Sequence, residues 1–527
     1  YKRQLYICSV FILGGMTSCE DFLDKREDVG LTEDDIFRDY YSLRGFLDQS
    51  FNQLENVMVM DNWENGRAFV GLFADEMATT DNSSAVFTLH SGNWLSNAKS
   101  NKTFEIGNAG STAISRSYKA LRINNRIIND IDKAPLTPEQ KNEILGQAYF
   151  YRSWFYFQII KRYGGMPIID KVFEGGDDDI PRMTYHESHD WMMEDIQKAI
   201  YMLPDSWDDP NYGRPTKIAA MALKEWTQLF DASPLMQNNL NSTENKGYDT
   251  ERAKSAAKSA YEVIRYMDGS KSAPYPYGLA SKEEYTNVFY FKYPPVHQPE
   301  YIWVKRQFPN AANQNQKRTI RTFWQYEDLA FGSGPDGNSM CCPSLNIVNM
   351  FDKKGADGIY YPIDDPRSGY ALDYDHKPFE DRDPRFYNNI LLPGTTWGHY
   401  ADGRTYYITT YKGGAAYQHM LTQKDCNKRM FTGFMCKKFM WPECNQYLEK
   451  NNPNCWWDYR FLTIYIRASQ IYLDYAEALF EGCGSATATI EGCPISAAEA
   501  INILRRRIGL TDLPCLLYPS PSPRDTR

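Results

Sequence analysis

Apolar positions recur at helical spacing in several separate blocks of the chain. Ile114, Tyr118, Leu121, Ile128 and Ile131 repeat at intervals of three, four and seven, which predicts one buried helical face. Pro135 ends that block, and Thr137-Pro138-Glu139-Gln140 has the form of a capping box with proline at the first helical position. From there a long helix is predicted to about Tyr163, where Gly164-Gly165 stops it. An earlier helix opens in LTEDDIF (Leu31 to Phe37), with Thr32 as cap and Glu33, Asp34 and Asp35 in the positive first turn; its pattern continues to about Leu54. Further helices are predicted near 187–203, 216–231 and 250–267, and in ASQIYLDYAEALFEG and SAAEAINILRRRIG. Residues 60–112, rich in Asn, Ser, Thr and Gly, read as long loops, and 270–460, full of Pro, Gly, Asn and Tyr, as irregular structure.

Several helices come in consecutive pairs with alanine at contact positions, as in KIAAMALKEWTQLF. Pairs stacked through small residues suggest a mainly α, tetratricopeptide-like scaffold, although the strict repeat consensus is absent. The expected architecture is a spine of helical pairs with a loop-rich half packed against it.

The N-terminus adds a processing signal. Tyr1-Lys2-Arg3 precedes an apolar run from Leu5 to Gly15, too short for a bilayer span, which needs roughly 20 apolar residues. Thr17 and Ser18 before Cys19 give it the form of a lipoprotein signal, with Cys19 acylated and residues 1–18 removed. Met16 is a less usual residue in such a motif, and a buried strand with an incidental cysteine is the competing reading. The chain starts at Tyr1 rather than Met, so its natural start is expected upstream.

Composition narrows the partners. The net charge is −9, and no basic run is long enough for a nucleic-acid stripe, so no nucleic acid is expected. Aromatic content is high, with 38 Tyr, 27 Phe and 12 Trp. Such rings suit either a core or the C–H face of a sugar; a cluster in a Gly- and Asn-rich loop favours binding. Setting aside Cys8 and Cys19 leaves an odd number of cysteines. Cys426, Cys436, Cys444, Cys455, Cys483 and Cys493 contain no CxxC pair and do not read as a zinc site; one or two disulfides near 426–455 are expected instead.

Five blocks, in order, resemble the SusD/RagB family of outer-membrane lipoproteins. They are SCEDFLDK with LTEDDIF; AYFYRSWFYFQIIKRYGGMPII; GRPTKIAAMALKEWTQLFDASPL; PFEDRDPRFYNNIL; and ASQIYLDYAEALFE followed by INILRRRIGL. The resemblance runs from Cys19 to about Leu513. It implies a tetratricopeptide-like scaffold at the cell surface that captures nutrients, mostly glycans and sometimes peptides, without cleaving them. It also implies a SusC-like TonB-dependent transporter as partner, which the protein caps by a hinge-like motion. The division expected on this basis is a signal at 1–18, an N-terminal helical region at 19–267 and a loop-rich then helical region at 268–513. The family usually continues past the RRRIGL helix, whereas residues 514–527 resemble none of it and read as a foreign or out-of-frame tail; a disordered tail is the alternative.

Family members place the ligand on the loop-rich half, so loop aromatics with polar neighbours are the candidates. In FADEMATTDNSSAVFTLHSGNWLSN, Trp94 offers a ring face, and Asp81, Asn82 and Asn93 offer hydrogen bonds to hydroxyls, unless these polar groups simply close turns. In TFWQYEDLAFGSGPDGNSM, Trp324 and Tyr326 alternate as in a strand and share one face, toward either ligand or core. Tyr290 in NVFYFKYPP is a third, weaker ring.

No GxSxG elbow, HExxH or P-loop is present, so no catalytic residue and no cofactor is expected. A glycosidase needs only two suitably spaced carboxylates, one with a raised pKa, and 67 Asp and Glu make that reading impossible to dismiss from sequence. His186 and His189, three apart in TYHESHDW, read as exposed residues at a capped helix start rather than a metal pair. DKKGADG (Asp352 to Gly358) fails the EF-hand spacing and reads as a turn. The resulting expectation is a lipid-anchored, surface-exposed glycan binder, with peptide capture or a secreted glycan-active enzyme as alternatives.

Overall fold

The computed structural model describes residues 32–54, 74–78, 113–173, 179–237, 246–272, 275–289, 298–306, 342–371, 375, 377–399, 405–414, 432–438 and 462–513. The first helices are α1 (Glu33–Ile36), α2 (Tyr40–Gln53), α3 (Ala113–Asp130), α4 (Pro138–Tyr163), α5 (Tyr185–Met202), α6 (Lys217–Ala232) and α7 (Thr250–Gly269). Short helices α8 (Leu345–Asn349) and α9 (Pro384–Asn389) follow, then α10 (Ala468–Cys483) and α11 (Ala497–Arg507). Among the described residues ten short strands are interspersed: β1 (Met77–Ala78), β2 (Tyr301–Arg306), β3 (Cys342–Pro343), β4 (Lys353–Lys354), β5 (Tyr360–Tyr361), β6 (Ile390–Leu391), β7 (Thr396–His399), β8 (Thr405–Tyr407), β9 (Met435–Cys436) and β10 (Leu462–Arg467).

Helix starts follow local chemistry. Thr32, Thr137 and Thr184 each close a full capping box, with Asp35, Gln140 and Glu187 as the reciprocal partners. The helix expected from Leu31 to Leu54 is two helices. The Asp39 side chain accepts from the Ser42 amide and starts α2 afresh after the end of α1.

Each spine helix packs on the next in the order α2, α3, α4, α5, α6, α7; from later in the sequence α10 then packs onto α7, and α11 onto α10. This is the one-dimensional stacking of a helical-repeat scaffold. Alanines make it close: Ala219, Ala220 and Ala222 on α6, Ala256, Ala257 and Ala260 on α7, and Ala476 and Ala478 on α10 are all buried. At the α7–α10 contact the residue must be glycine. A Cβ on Gly482 would stand 2.9 Å from the Lys254 Cγ and 3.1 Å from its backbone nitrogen. Helix α4 is buried on all sides from Ile144 to Ile160 because α3, α5, α2 and β2 surround it.

Strand β2, inside the stretch expected to be irregular, pairs antiparallel with β10. Trp303 on β2 enters the helical core, with its ring 4.8 Å from Phe150, 4.7 Å from Trp154 and 4.6 Å from Tyr465. These aromatics therefore serve packing. One core contains both Ile36 and Leu504, so helices from the two ends of the chain share it.

Buried ion pairs join successive layers. Arg152 on α4 makes a two-point contact with Asp195 on α5, at 2.6 and 2.8 Å, and reaches Asn125 on α3. Glu300, fully buried before β2, accepts from Ser469 at 2.7 Å, from the Ala280 amide at 3.2 Å, and from Arg467 and Arg507. No helix among the described residues is long and apolar enough to cross a membrane.

Candidate functional site

The stems of the candidate loops meet at a small strand cluster. Strand β1 ends at Ala78, just before the segment that carries Asp81, Asn82, Asn93 and Trp94. Strand β3 begins at Cys342, just after the segment that carries Trp324 and Tyr326. The two strands pair antiparallel, with Met77 opposite Pro343 and Ala78 opposite Cys342. The contact is extended by the Ser344 amide donating to the Glu76 carbonyl (2.9 Å) and by Asn346 donating to the Asp75 carboxylate (3.2 Å). The chain entering one candidate loop thus lies beside the chain leaving the other. Strand β3 packs on β9, which pairs with β6 through Ile390–Cys436 and Leu391–Met435.

Phe289, the residue before Tyr290, anchors this base. Lys438 lies 4.5 Å from the centre of its ring and Arg467 lies 5.0 Å from it, so one ring is flanked by two cations. Burial, with the nearby positive charge of Arg467 as a smaller cause, pushes the Lys438 amine down to about 8. Burial likewise pushes the Cys436 thiol up to about 12, which makes it a packing residue rather than a reactive one. The sequence pointed at Tyr290 and missed Phe289 and Lys438; a buried apolar position one residue earlier in the same run was the available signal.

Cys19, Asp81, Asn82, Asn93, Trp94, Tyr290, Trp324 and Tyr326 all lie outside the described residues. So do Cys426, Cys444 and Cys455, whereas Cys342, Cys436, Cys483 and Cys493 are free thiols.

The two histidines differ from the expectation of exposed residues at a helix start. Thr184 does cap α5, but His189 is buried and both imidazoles turn toward Asp231 on α6. The Nδ1 atoms of His186 and His189 stand 2.7 and 3.5 Å from its carboxylate, which also takes the Arg252 guanidinium of α7. Packing of α6 against α5 buries the second turn of α5, and the pair becomes a polar joint of three helices. Among the described residues, no group of three or more His, Cys, Asp or Glu side chains is arranged to hold a metal ion.

The conspicuous PFEDRDPRFYNNIL block is also structural. Buried Arg382 donates to the carbonyls of Val348, Phe351 and Pro378, while Asp383 caps α9 and pairs with Arg385. DKKGADG forms the first strand and turn of the β4–β5 hairpin, and Asp352 is bound by Arg505.

Raised carboxyl pKa values, the mark sought for a glycosidase acid, occur among the described residues at Glu225 and Asp474. Burial is the main cause at both; the charges of Asp474 and Glu477 add to it at Glu225, and that of Glu477 adds to it at Asp474. Glu225 is buried within the spine beside Asp474. Such a position offers no approach for a substrate, so this pair has the setting of a core feature.

Two family models match the sequence. One, described as "Starch-binding associating with outer membrane", matches residues 21–225; the other, the SusD family model, matches residues 299–521. No curated protein matches the sequence. Among solved structures, a SusD-like protein from Bacteroides fragilis is similar with a TM-score of 0.64 at 22% identity, covering 92% of this chain and 81% of the other. A SusD-like carbohydrate binding protein from the same species gives 0.61 at 19% identity, with coverages of 91% and 80%. Surface glycan-binding protein A from Bacteroides fluxus gives 0.54 at 15% identity, with coverages of 90% and 82%. At these identities the structural likeness speaks for the fold, and it agrees with the helical spine described above. The two family models lie in sequence order on the two halves of that spine and cover most of its length, and on their match the chain belongs to the SusD/RagB family.

Proposed function

We propose that this protein is a lipid-anchored lipoprotein of the outer membrane that binds glycan oligosaccharides at the cell surface. It delivers them to a SusC-like TonB-dependent transporter and performs no chemistry on them. The observation that carries the reading is the family match, whose first model is described as starch-binding and associated with the outer membrane. Similar folds named as carbohydrate-binding and surface glycan-binding proteins support the ligand class. In this reading Cys19 is the lipid anchor, and Asp81, Asn82, Asn93, Trp94, Tyr290, Trp324 and Tyr326 contribute rings and hydrogen bonds to the glycan. The paired β1–β3 stems favour one composite site, because the chain enters one main loop and leaves the other from adjacent backbone. Affinity comes from ring stacking and hydroxyl hydrogen bonds on a surface formed before the ligand arrives.

Calorimetry against a panel of neutral oligosaccharides and of peptides tests the ligand class. Saccharide binding with no response to peptides is the expected result, and the reverse would identify a peptide-capturing, RagB-like binder. Combined Trp94→Ala and Trp324→Ala substitution is expected to abolish most saccharide affinity. Unchanged affinity sinks the site assignment. Appearance of shortened saccharide products, lost on replacing a single carboxylate, would overturn the non-enzymatic reading.

A further inference from the structure

A second place in the fold has the chemistry of a saccharide contact. The connection between α5 and α6 folds over β2 and the 275–277 turn, leaving a cleft of about 540 Å³ counted to its open mouth. Only about 50 Å³ of it is deep enough to hold the centre of a water molecule, so it is narrow and shallow. Its walls include Trp207, Tyr212, Tyr275 and Tyr277, each partly exposed, with buried Trp303 and Tyr301 behind them. Glycine at 213 shapes the inner wall. Its φ is +99°, and a Cβ there would stand 3.1 Å from the Val304 carbonyl, so a larger residue would push the connection off β2.

The polar edges of several of these rings are already used. Trp207 donates to the Pro215 carbonyl at 2.8 Å, Trp303 to the Gly213 carbonyl at 3.2 Å, and Tyr301 to the Val288 carbonyl at 2.8 Å. What they leave for a ligand is carbon surface. Among the described lining residues the one cation, Arg214, is engaged by Asp48 at 2.9 Å, Gln147 at 3.0 Å and Asn211 at 3.2 Å. The described lining therefore offers no free charge to select a phosphate or a carboxylate. Against this, the Gln298 side-chain oxygen is buried and has no hydrogen-bond partner. An unpaired buried acceptor costs about 1–3 kcal/mol, and a donor brought by a ligand relieves that cost.

Aromatic carbon surface, no free charge and one waiting acceptor together match a neutral ring that carries hydroxyls. We propose that this cleft is a second saccharide contact, which takes a single sugar unit of a glycan through stacking and a hydroxyl donated to Gln298 Oε1. Its size suits one ring or a side branch, not a chain. The inference rests on the glycan-binding reading and adds a contact formed by the α5–α6 connection, the 275–277 turn and β2.

Two variants test it. Gln298→Met keeps the volume and removes the acceptor; Ser206→Trp fills the mouth from an exposed position. Each is measured by calorimetry with maltohexaose, laminarihexaose and a branched xylogluco-oligosaccharide, beside the wild type and the Trp94→Ala, Trp324→Ala variant. The expected result is affinity weakened about tenfold for at least one probe in both cleft variants, with the thermal midpoint of Gln298→Met unchanged or higher. If both cleft variants bind every probe like the wild type while the loop variant loses binding, the second contact is wrong and the glycan reading stands. If the wild type itself binds no probe, the glycan reading and the second contact fall together.

Discussion

In the helical spine, α2 to α7 each pack on the chain neighbour, whereas β2 finds its partner β10 only after the chain has run from Arg306 to Leu462. The spine is held by alanine-rich contacts and buried ion pairs between successive helices. The strand-bearing half is held by two-residue ladders, side chains bound to carbonyls, and rings flanked by cations. Damage to the spine should therefore cost stability directly, while damage to the other half should act mainly through the loops it supports. That contrast is what a scaffold carrying a variable binding surface requires.

The largest effect is expected where the spine buries charge. Asp195→Ala strands the Arg152 guanidinium among helices α3, α4 and α5, where both side chains are almost wholly enclosed. Loss of about 3–5 kcal/mol is expected in urea unfolding, because an unpaired buried charge remains. Replacing Asp365, which pairs with Arg367 where that guanidinium is well exposed, should cost far less. Equal costs at the two sites would erase the contrast.

Glycines sharpen it within helices. Gly482→Ala pushes a methyl group against Lys254 at the α7–α10 contact and should cost about 1–3 kcal/mol. Gly45→Ala, on an exposed turn of α2 with nothing within 4 Å of the new methyl, should stabilise by about 0.5–1 kcal/mol. Differential scanning calorimetry of the two variants should give thermal midpoints that move in opposite directions.

The same division explains what the sequence disclosed. The box at Thr137, the proline at 138 and the stop at Gly164 are local signals, and α4 has the bounds they imply. Strand β2 was missed because Tyr301, Ile302, Trp303 and Val304 are all buried, so no alternation of apolar and polar positions marks it. Its partner lies far along the chain, where no local pattern points. His189 and Glu225 read as ordinary polar helix residues, since only the neighbouring helix decides that they are buried. Cleft residues Trp207, Tyr277 and Gln298 come from three segments joined by tertiary packing, and no one segment carries the pattern. The loop candidates from Asp81 to Tyr326 rest on sequence, with the described structure reaching only their stems.

The smallest and most selective test uses pH, because the two halves bury titratable groups of opposite sign. In the spine, burial holds the Glu225 carboxyl well above its usual range, with the charges of Asp474 and Glu477 adding to it, and raises Asp474 to about 7, with the charge of Glu477 adding to that. Folded protein therefore holds protons that the unfolded chain releases near pH 4, so this contribution is full below about pH 4 and is lost as pH rises through about 7. At the loop base, the Lys438 amine is lowered to about 8 in the folded state. There the unfolded chain binds more protons between about pH 8 and 10, so stability recovers across that interval. Asp474→Asn should flatten the fall in the urea midpoint between pH 4 and 7 and leave the alkaline side untouched. Lys438→Met should do the reverse. If either substitution altered both windows alike, the spine and the loop base would be titrating as one unit, and the separation argued between them would not hold.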